Sequence, residues 1–294
     1  MNILLTGASS RIGSTLIRSL SKCSGVNVTA MVYRSLVNIT GCEIRKADLR
    51  NPESLVKAVE GIDAVVHMAA STRSVRESEY FRINVEGTQN LLDACKLAGV
   101  KKIIFLSSRA ACEEGGGYSR SKLNAEQCVR ESGLQWLILR PSEVYGQGSG
   151  DAINRLIQWI RKYPLVPVLG TGQARFSPVY IDDLVSAIKQ SLLDEKLENE
   201  TILLAGPEEM TLDELVDRTS KCFGVSRSKL RLPVGFVRLG SEVLAGLGVK
   251  VLVPDQVPRL LCSKDRDISK ASSLISFSPR KLEEGIAAYC LVRK

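Results

Sequence analysis

Short apolar runs alternate along the chain with stretches in which apolar residues return every three or four positions. The runs are NILL from Asn2, VTAMV (28–32), CEIR (42–45), DAVVHM (63–68), KIIFLS (102–107), LQWLIL (134–139) and TILLA (201–205). Strand alternating with helix predicts a parallel sheet. Runs as unbroken as AVVHM and IIFL predict strands covered on both faces, as in a doubly wound fold. In the first helical stretch Ile12, Leu16, Ile17 and Leu20 share one face, with Ser9 or Ser10 placed to cap it.

After the sixth run the pattern loosens into the proline-marked loops YPLVPVLG and RFSPVY, on either side of which the spacing predicts a helix over about 151–161 and a return to the sheet over 181–205. Beyond Gly206, GPEEMTLDELVDRTSKCFG reads as a turn and a capped helix, followed by proline-punctuated helical segments. The expected architecture is α/β: a doubly wound parallel sheet from 1–140, with 181–205 returning to it, and a smaller, discontinuous C-terminal substrate lobe from 141–180 and 206–294.

Composition adds exclusions. The 294 residues are 44% hydrophobic and 24% charged, ordinary for a soluble globular protein, with no repeat or low-complexity tract. The first strand begins at Asn2 and no later run of about 18 apolar residues is free of charge, so neither a signal peptide nor a membrane span is expected and the cytoplasm is the default. Eight dispersed cysteines without a C-x-x-C pair, and a single histidine, argue for buried free thiols and against a metal site. The formal net charge of +8 suits an anionic ligand. Its basic residues are scattered, and the pairs at 101–102 and 161–162 read as solvated ends of elements, so nucleic acid is not an expected partner.

The stretch TGASSRIG, Thr6 to Gly13, carries the first chemistry. It lies between a strand and a helix, where free amides and the positive end of the helix dipole face a pyrophosphate. Gly7 supplies the tight turn and Gly13 the close packing of helix on strand, while the middle glycine of the Rossmann fingerprint is replaced by Ser10, small and able to donate a hydrogen bond. Arg11 and Ile12 follow at the helix start. The second strand ends VYRS, with no acid to accept adenosine ribose hydroxyls. Arg34 stands there instead, and with Arg11 it suits a 2′-phosphate, which favours NADP mildly over NAD.

In GYSRSK, Tyr118 and Lys122 are four apart on a predicted helix and share a face; Ser107 and Ser108 end the strand before it. With the glycine turn, and with ADLRNPESLVKAVEGIDAVVHMAA, NVEGTQNLLDACKLAGVKKIIFLSS, LRPSEVYGQG and PVYIDDL following in order, the chain resembles the short-chain dehydrogenase/reductase superfamily in its extended and atypical branch, the NAD-dependent epimerase/dehydratase family. In texture it is most similar to the atypical group that includes the accessory Rossmann subunit of respiratory complex I.

The resemblance implies hydride transfer at nicotinamide C4, as an oxidoreductase or a sugar epimerase/dehydratase. Tyr118 would be general acid/base, Lys122 would lower its pKa and hold the ribose, Ser108 would bond the reacting oxygen, and Asn84 matches the asparagine of NVxGT. Asp48 and Leu49 would lie around the adenine, Ala69 and Ala70 along the cofactor, and Pro141 and Ser142 beside the nicotinamide. It also implies a homodimer through helices around 84–98 and 119–131. The alternative is a non-catalytic NADP(H)-binding accessory, assembly or sensor protein.

Two positions depart from nucleotide-sugar enzymes. Glu143 replaces the usual asparagine before V-Y-G, where a pyrophosphate would meet a carboxylate, and Arg175 sits one place early relative to their phosphate-binding arginine. Both remain candidate substrate contacts. His67 is expected to be structural, Glu113 and Glu114 to lie in a loop, and Asp183 to cap a helix.

Overall fold

The computed structural model describes residues 1–34, 40–147, 152–238, 240 and 255–291. In chain order its first half contains β1 (Asn2–Thr6), α1 (Arg11–Leu20), β2 (Asn27–Val32), β3 (Glu43–Lys46), α2 (Pro52–Ala58), β4 (Ala64–His67), α3 (Glu77–Tyr80), α4 (Gly87–Ala98), β5 (Lys102–Leu106), α5 (Gly116–Arg130) and β6 (Gln135–Pro141). Later come α6 (Ala152–Lys162), α7 (Ile181–Leu193) and α8 (Leu212–Cys222). The strand Glu200–Leu204 joins the sheet beside β6, giving the order Glu200–Leu204, β6, β5, β4, β1, β2, β3, every pair parallel. The chain runs outward from β1 to β3 and then crosses back to β4, so the strand order reverses between β1 and β4. That switch point opens a crevice at their carboxyl ends.

Continuous apolar strands have a reason here, since both faces are covered. On one face Leu4, Val65, Ile103 and Ile138 pack with Leu55, Leu91 and Leu92 of α2 and α4. On the other Ile3, Leu5, Val66, Ile104 and Leu139 pack against α1 and α7, and this cluster continues through Ile153, Phe176 and Leu215 to Tyr289. One apolar core therefore runs from the sheet into the C-terminal helices.

Three details differ from expectation. The third strand is an edge: three of its four residues are exposed, and Arg45 ties it down through Glu43 and the carbonyls of Ala58 and Glu60. Lys102 is buried instead of solvated, because its ammonium closes the end of α7 by donating to the carbonyls of Ser191 and Asp194 at 3.1 and 2.6 Å. The eight cysteines are free, but Cys95 alone is fully buried and Cys222 is exposed. Among the described residues no helix is long and apolar enough to cross a membrane.

Candidate active site

The crevice widens into a cavity of about 1410 Å³, larger than a single small ligand requires. Gly7, with φ of +68°, turns the chain out of β1; a Cβ there would stand 2.8 Å from the amide nitrogen of Ala69. A Cβ on Gly13 would stand 2.6 Å from the Gly7 carbonyl oxygen, so both glycines are demanded by backbone packing. Gly13→Ala is expected to push α1 off the turn, costing about 1–3 kcal/mol and weakening dinucleotide binding; an unchanged melting temperature would refute the close contact.

Ser10 is the N-cap of α1, its Oγ accepting from Gly13 N at 3.0 Å. The hydroxyl proton remains available, together with the amides of Arg11 and Ile12 in the first turn. Ser10 thus has two tasks where the usual glycine has one.

Beside the end of β2 two guanidinium groups lie near the Tyr33 ring, Arg34 at 4.6 Å and Arg50 at 5.2 Å from its centre, and Arg50 also donates to the Tyr33 hydroxyl. Asp48 lies on the same wall but is held by Arg50 at 2.7 Å, which keeps its carboxyl below the usual range. Arg11 and Arg34 both line the cavity, burial lowering the pKa of Arg11, and Arg50 is a further arginine beside Tyr33. Leu49, Ala69 and Ala70 line the crevice.

Behind the wall runs a buried chain of hydrogen bonds. Thr88 Oγ1 gives its proton to the Asn84 carbonyl at 2.6 Å, so it accepts from His67 Nε2 at 3.0 Å, and His67 Nδ1 accepts from Thr6 at 2.6 Å. His67 is accordingly neutral, its pKa pushed down to about 3 by burial and by Lys122. Thr6 Oγ1 in turn accepts from the amides of Met68 and Ala69, both at 3.1 Å, which shapes the loop along the crevice.

Asn84 lies in a wide π-helical turn, Phe81–Glu86, between α3 and α4. It is 1% exposed and does not face the cavity. Its amide binds both backbone groups of Ser71 and the Ser121 hydroxyl, at 2.7, 3.0 and 2.9 Å. Asn84, the match to the asparagine of NVxGT, thus joins the crevice loop to α5 from behind the cavity wall.

Ser108, Tyr118 and Lys122 all open onto the cavity, beside Pro141 and Ser142. Helix α5 begins at Gly116, so Tyr118 and Lys122 fall on its first two turns and face the end of β5. Lys122 donates to the Leu106 carbonyl at 2.8 Å and lies 3.9 Å from the centre of the Phe105 ring. Burial pulls its pKa down to about 7, partly opposed by Glu126. Glu126 is itself buried and held by Ser107, Arg130 and Arg140.

Tyr118 differs from the expected activated phenol. Burial raises its pKa; Arg259 and a hydrogen bond with Ser108 lower it, and Asp255 raises it further. Without ligands the tyrosine is a protonated acid, because burial disfavours the charged phenolate, while the Lys122 ammonium is bound to the strand carbonyl.

The sequence reading missed the C-terminal contribution. Asp255 accepts from Tyr118 N at 3.3 Å, and Arg259, on the helix Gln256–Leu261, stacks 4.4 Å from the centre of the Tyr118 ring. Neither residue sits in a recognisable motif, and more than a hundred residues separate them from Tyr118. Lys264 was missed likewise. It donates to Glu143 at 3.2 Å, and Ser177 N gives a second bond to that carboxylate, so the expected repulsion between Glu143 and an anion is largely cancelled.

Arg175 is not on the cavity wall: its side chain is 61% exposed and pairs with Glu209 at 3.5 Å. Arg109 approaches the same Glu209 at 3.7 Å from the buried side. Glu113 and Glu114 are exposed and face away from the cavity. Asp183 does not cap α7; it sits in the first turn and pairs with Arg280 at 2.8 Å.

Among the described residues the cavity wall carries nine arginines and lysines but only two acids, Asp48 and Glu143, each already paired. Such a wall is built for anions.

In architecture the molecule is an extended short-chain dehydrogenase/reductase, with glycine turn and tyrosine–lysine pair opening into one cavity at the carboxyl edge of a doubly wound sheet. It belongs to the NAD-dependent epimerase/dehydratase family, whose sequence model matches residues 3–205. The chain is 27% identical over 281 residues to 3beta-hydroxysteroid-dehydrogenase/decarboxylase isoform 1 of Arabidopsis thaliana, with 82% of this chain and 64% of that protein covered. It thus spans less than two thirds of that relative, and half of the second Arabidopsis isoform. It is 26% identical to the N-acetyl-alpha-D-glucosaminyl-diphospho-ditrans,octacis-undecaprenol 4-epimerase of Escherichia coli O157:H7, covering 97% and 93% of the two chains. Among solved structures, the UDP-glucuronic acid 4-epimerase of Bacillus cereus, in a complex with UDP-4-deoxy-4-fluoro-glucuronic acid and NAD, superimposes with a TM-score of 0.77 at 26% identity, 98% of both chains covered.

Proposed function

We propose that this protein is an NAD(P)-dependent oxidoreductase or epimerase that moves a hydride to and from a carbinol carbon. The observation that carries this reading is the convergence of Ser108, Tyr118 and Lys122 with the Gly7 turn in one cation-lined cavity. The dinucleotide half would be 1–140 with 181–205, and the substrate half 141–180 with 206–294. The residues fit the dinucleotide: Ser10 and the amides of Arg11 and Ile12 for its pyrophosphate, Arg34 and Arg50 at the adenosine, Leu49, Ala69 and Ala70 along its length, and Lys122 at the ribose. Bound there, the nicotinamide would supply reversible hydride acceptance.

The chain's own part is proton transfer and placement. Ser108 holds the reacting oxygen and Tyr118 exchanges its proton. As a protonated phenol Tyr118 is set to donate to a carbonyl oxygen; removing a proton from an alcohol needs further positive charge, which Lys122 provides once a ribose draws its ammonium away from Leu106. The experiment that tests the reading is titration with NADPH and NADH, followed by a redox and epimerisation screen. Failure to bind either would overturn it.

Arg34 and Arg50 favour the 2′-phosphate of NADP. Arg34→Asp is expected to weaken NADP by about ten- to a hundredfold while leaving NAD unharmed, since the new carboxylate can accept ribose hydroxyls. Equal losses for both, measured by calorimetry, would refute the assignment.

Assembly is proposed as a homodimer through α4 and α5, where Leu97 is 79% exposed; a monomeric sedimentation profile at micromolar concentration would reject it. The eight free thiols suit a reducing compartment, and the cytosol is the proposed location.

A further inference from the structure

The half of the cavity beyond Tyr118 differs in character from the dinucleotide half. Its walls are Ile153, Leu169, Phe176, Leu232, Val257 and Leu260, drawn from five separate segments of the chain. The cations among them are mostly engaged. Lys264 is paired with Glu143, the Arg109 side chain is 1% exposed and reaches Glu209 at 3.7 Å through Nη2 while its Nε and Nη1 are buried without hydrogen-bond partners, and Arg155 has a partner within the protein. Arg259 is different: among the described residues no carboxylate pairs with it, and its contact is the face of the Tyr118 ring. A guanidinium that lines a cavity among aliphatic side chains and makes no ion pair among the described residues, its helix neighbour Asp255 being bound to Tyr118 N instead, calls for a ligand anion.

From this we propose that the substrate is an apolar hydroxy or oxo acid whose carboxylate is held by Arg259 within a few bonds of the carbinol carbon served by Tyr118. The inference rests on the reading of the cavity as a dehydrogenase site and adds the substrate class. The planar fork of Arg259 matches a carboxylate in two parallel hydrogen bonds. Its 4.4 Å separation from the centre of the Tyr118 ring keeps that carboxylate close to an oxygen bonded to the phenol. An alkyl or alicyclic body fits against Ile153, Phe176 and Leu232, a surface that offers no hydrogen-bond partner to sugar hydroxyls directed at it. Arg259 is then the specificity-determining residue, and the free N–H groups of its fork select acid over ester.

The test uses the full chain saturated with NADPH, or with NADH where that binds more tightly, titrated calorimetrically with 3-hydroxydecanoate, its methyl ester, 3-hydroxybutanoate and UDP-glucose. The decanoate is expected to bind about tenfold or more tighter than its ester, and tighter than the butanoate by about threefold for each methylene that is buried. Arg259→Gln should bring the acid down to the affinity of the ester with dinucleotide affinity unchanged, and Arg259→Lys should recover part of the difference. Acid and ester binding alike, a preference for acid that survives Arg259→Gln, or UDP-glucose binding more tightly than the decanoate would each overturn the proposal. Loss of dinucleotide binding in the unaltered protein would instead overturn the reading beneath it.

Discussion

Tyr118→Phe is expected to lower turnover by about 10²–10⁴-fold while leaving dinucleotide affinity nearly unchanged. The ring is buried between Tyr80, whose ring centre lies 6.0 Å away in an edge arrangement, and Arg259 on its other contact. Phenylalanine preserves both contacts and removes only the group that exchanges a proton with the substrate oxygen. The loss belongs in kcat, with KM little altered, because the phenol matters most as the proton moves. A variant that retains full turnover would reduce Tyr118 to a packing residue and favour the accessory-protein alternative. The pH profile offers a second check. Burial holds the Tyr118 phenol above its ordinary range in the ligand-free protein, so phenolate absorbance near neutral pH should be absent without dinucleotide. Its appearance near neutral pH in that state would contradict the described environment.

Lys122→Met is expected to abolish turnover, to weaken dinucleotide binding, and to raise the melting temperature of the ligand-free protein at neutral and lower pH. The lysine's pKa is lowered to about 7 from an ordinary 10.5 by burial. Between those values the unfolded chain holds the proton and the folded chain releases it, so stability rises with pH across this window. Below about pH 7 the buried ammonium's cost is present in full; above about 10.5 it has gone. Methionine keeps most of the volume and removes that cost, a few kcal/mol in order of magnitude, against about 1–2 kcal/mol for the lost bond to the Leu106 carbonyl. The net gain should appear as a few degrees in melting temperature, largest below pH 7 and shrinking toward pH 10. A melting difference that is flat over this range would show that the lysine is not buried as a strained cation. The same residue is thus predicted to be unfavourable for the empty fold and necessary for the loaded one.

Much of this was legible in order along the chain. Local patterns determined the seven strands of the main sheet within a residue or two and the existence of the helices on its faces, because a strand covered on both faces must be apolar throughout and a helix on such a sheet must carry one apolar face. The steric demands of the turn made Gly7 and Gly13 readable, and the four-residue spacing on one helix face did the same for Tyr118 and Lys122. These are properties of neighbours in sequence, so the sequence by itself settled the doubly wound sheet, the glycine turn after β1 and the shared helix face of Tyr118 and Lys122.

Electrostatic state was settled only by folding. Whether Lys122 faces the phenol or the Leu106 carbonyl, whether Glu143 meets a ligand or Lys264, and whether Asn84 reaches the cavity or braces Ser71 from behind it depend on groups far away in the chain. Arg175, in a familiar motif, lies outside the cavity, while Arg259, in none, lies against the tyrosine. A charge in a partly dry site is governed by what stands within a few ångströms of it, and those distances are set by tertiary packing that local periodicity does not encode.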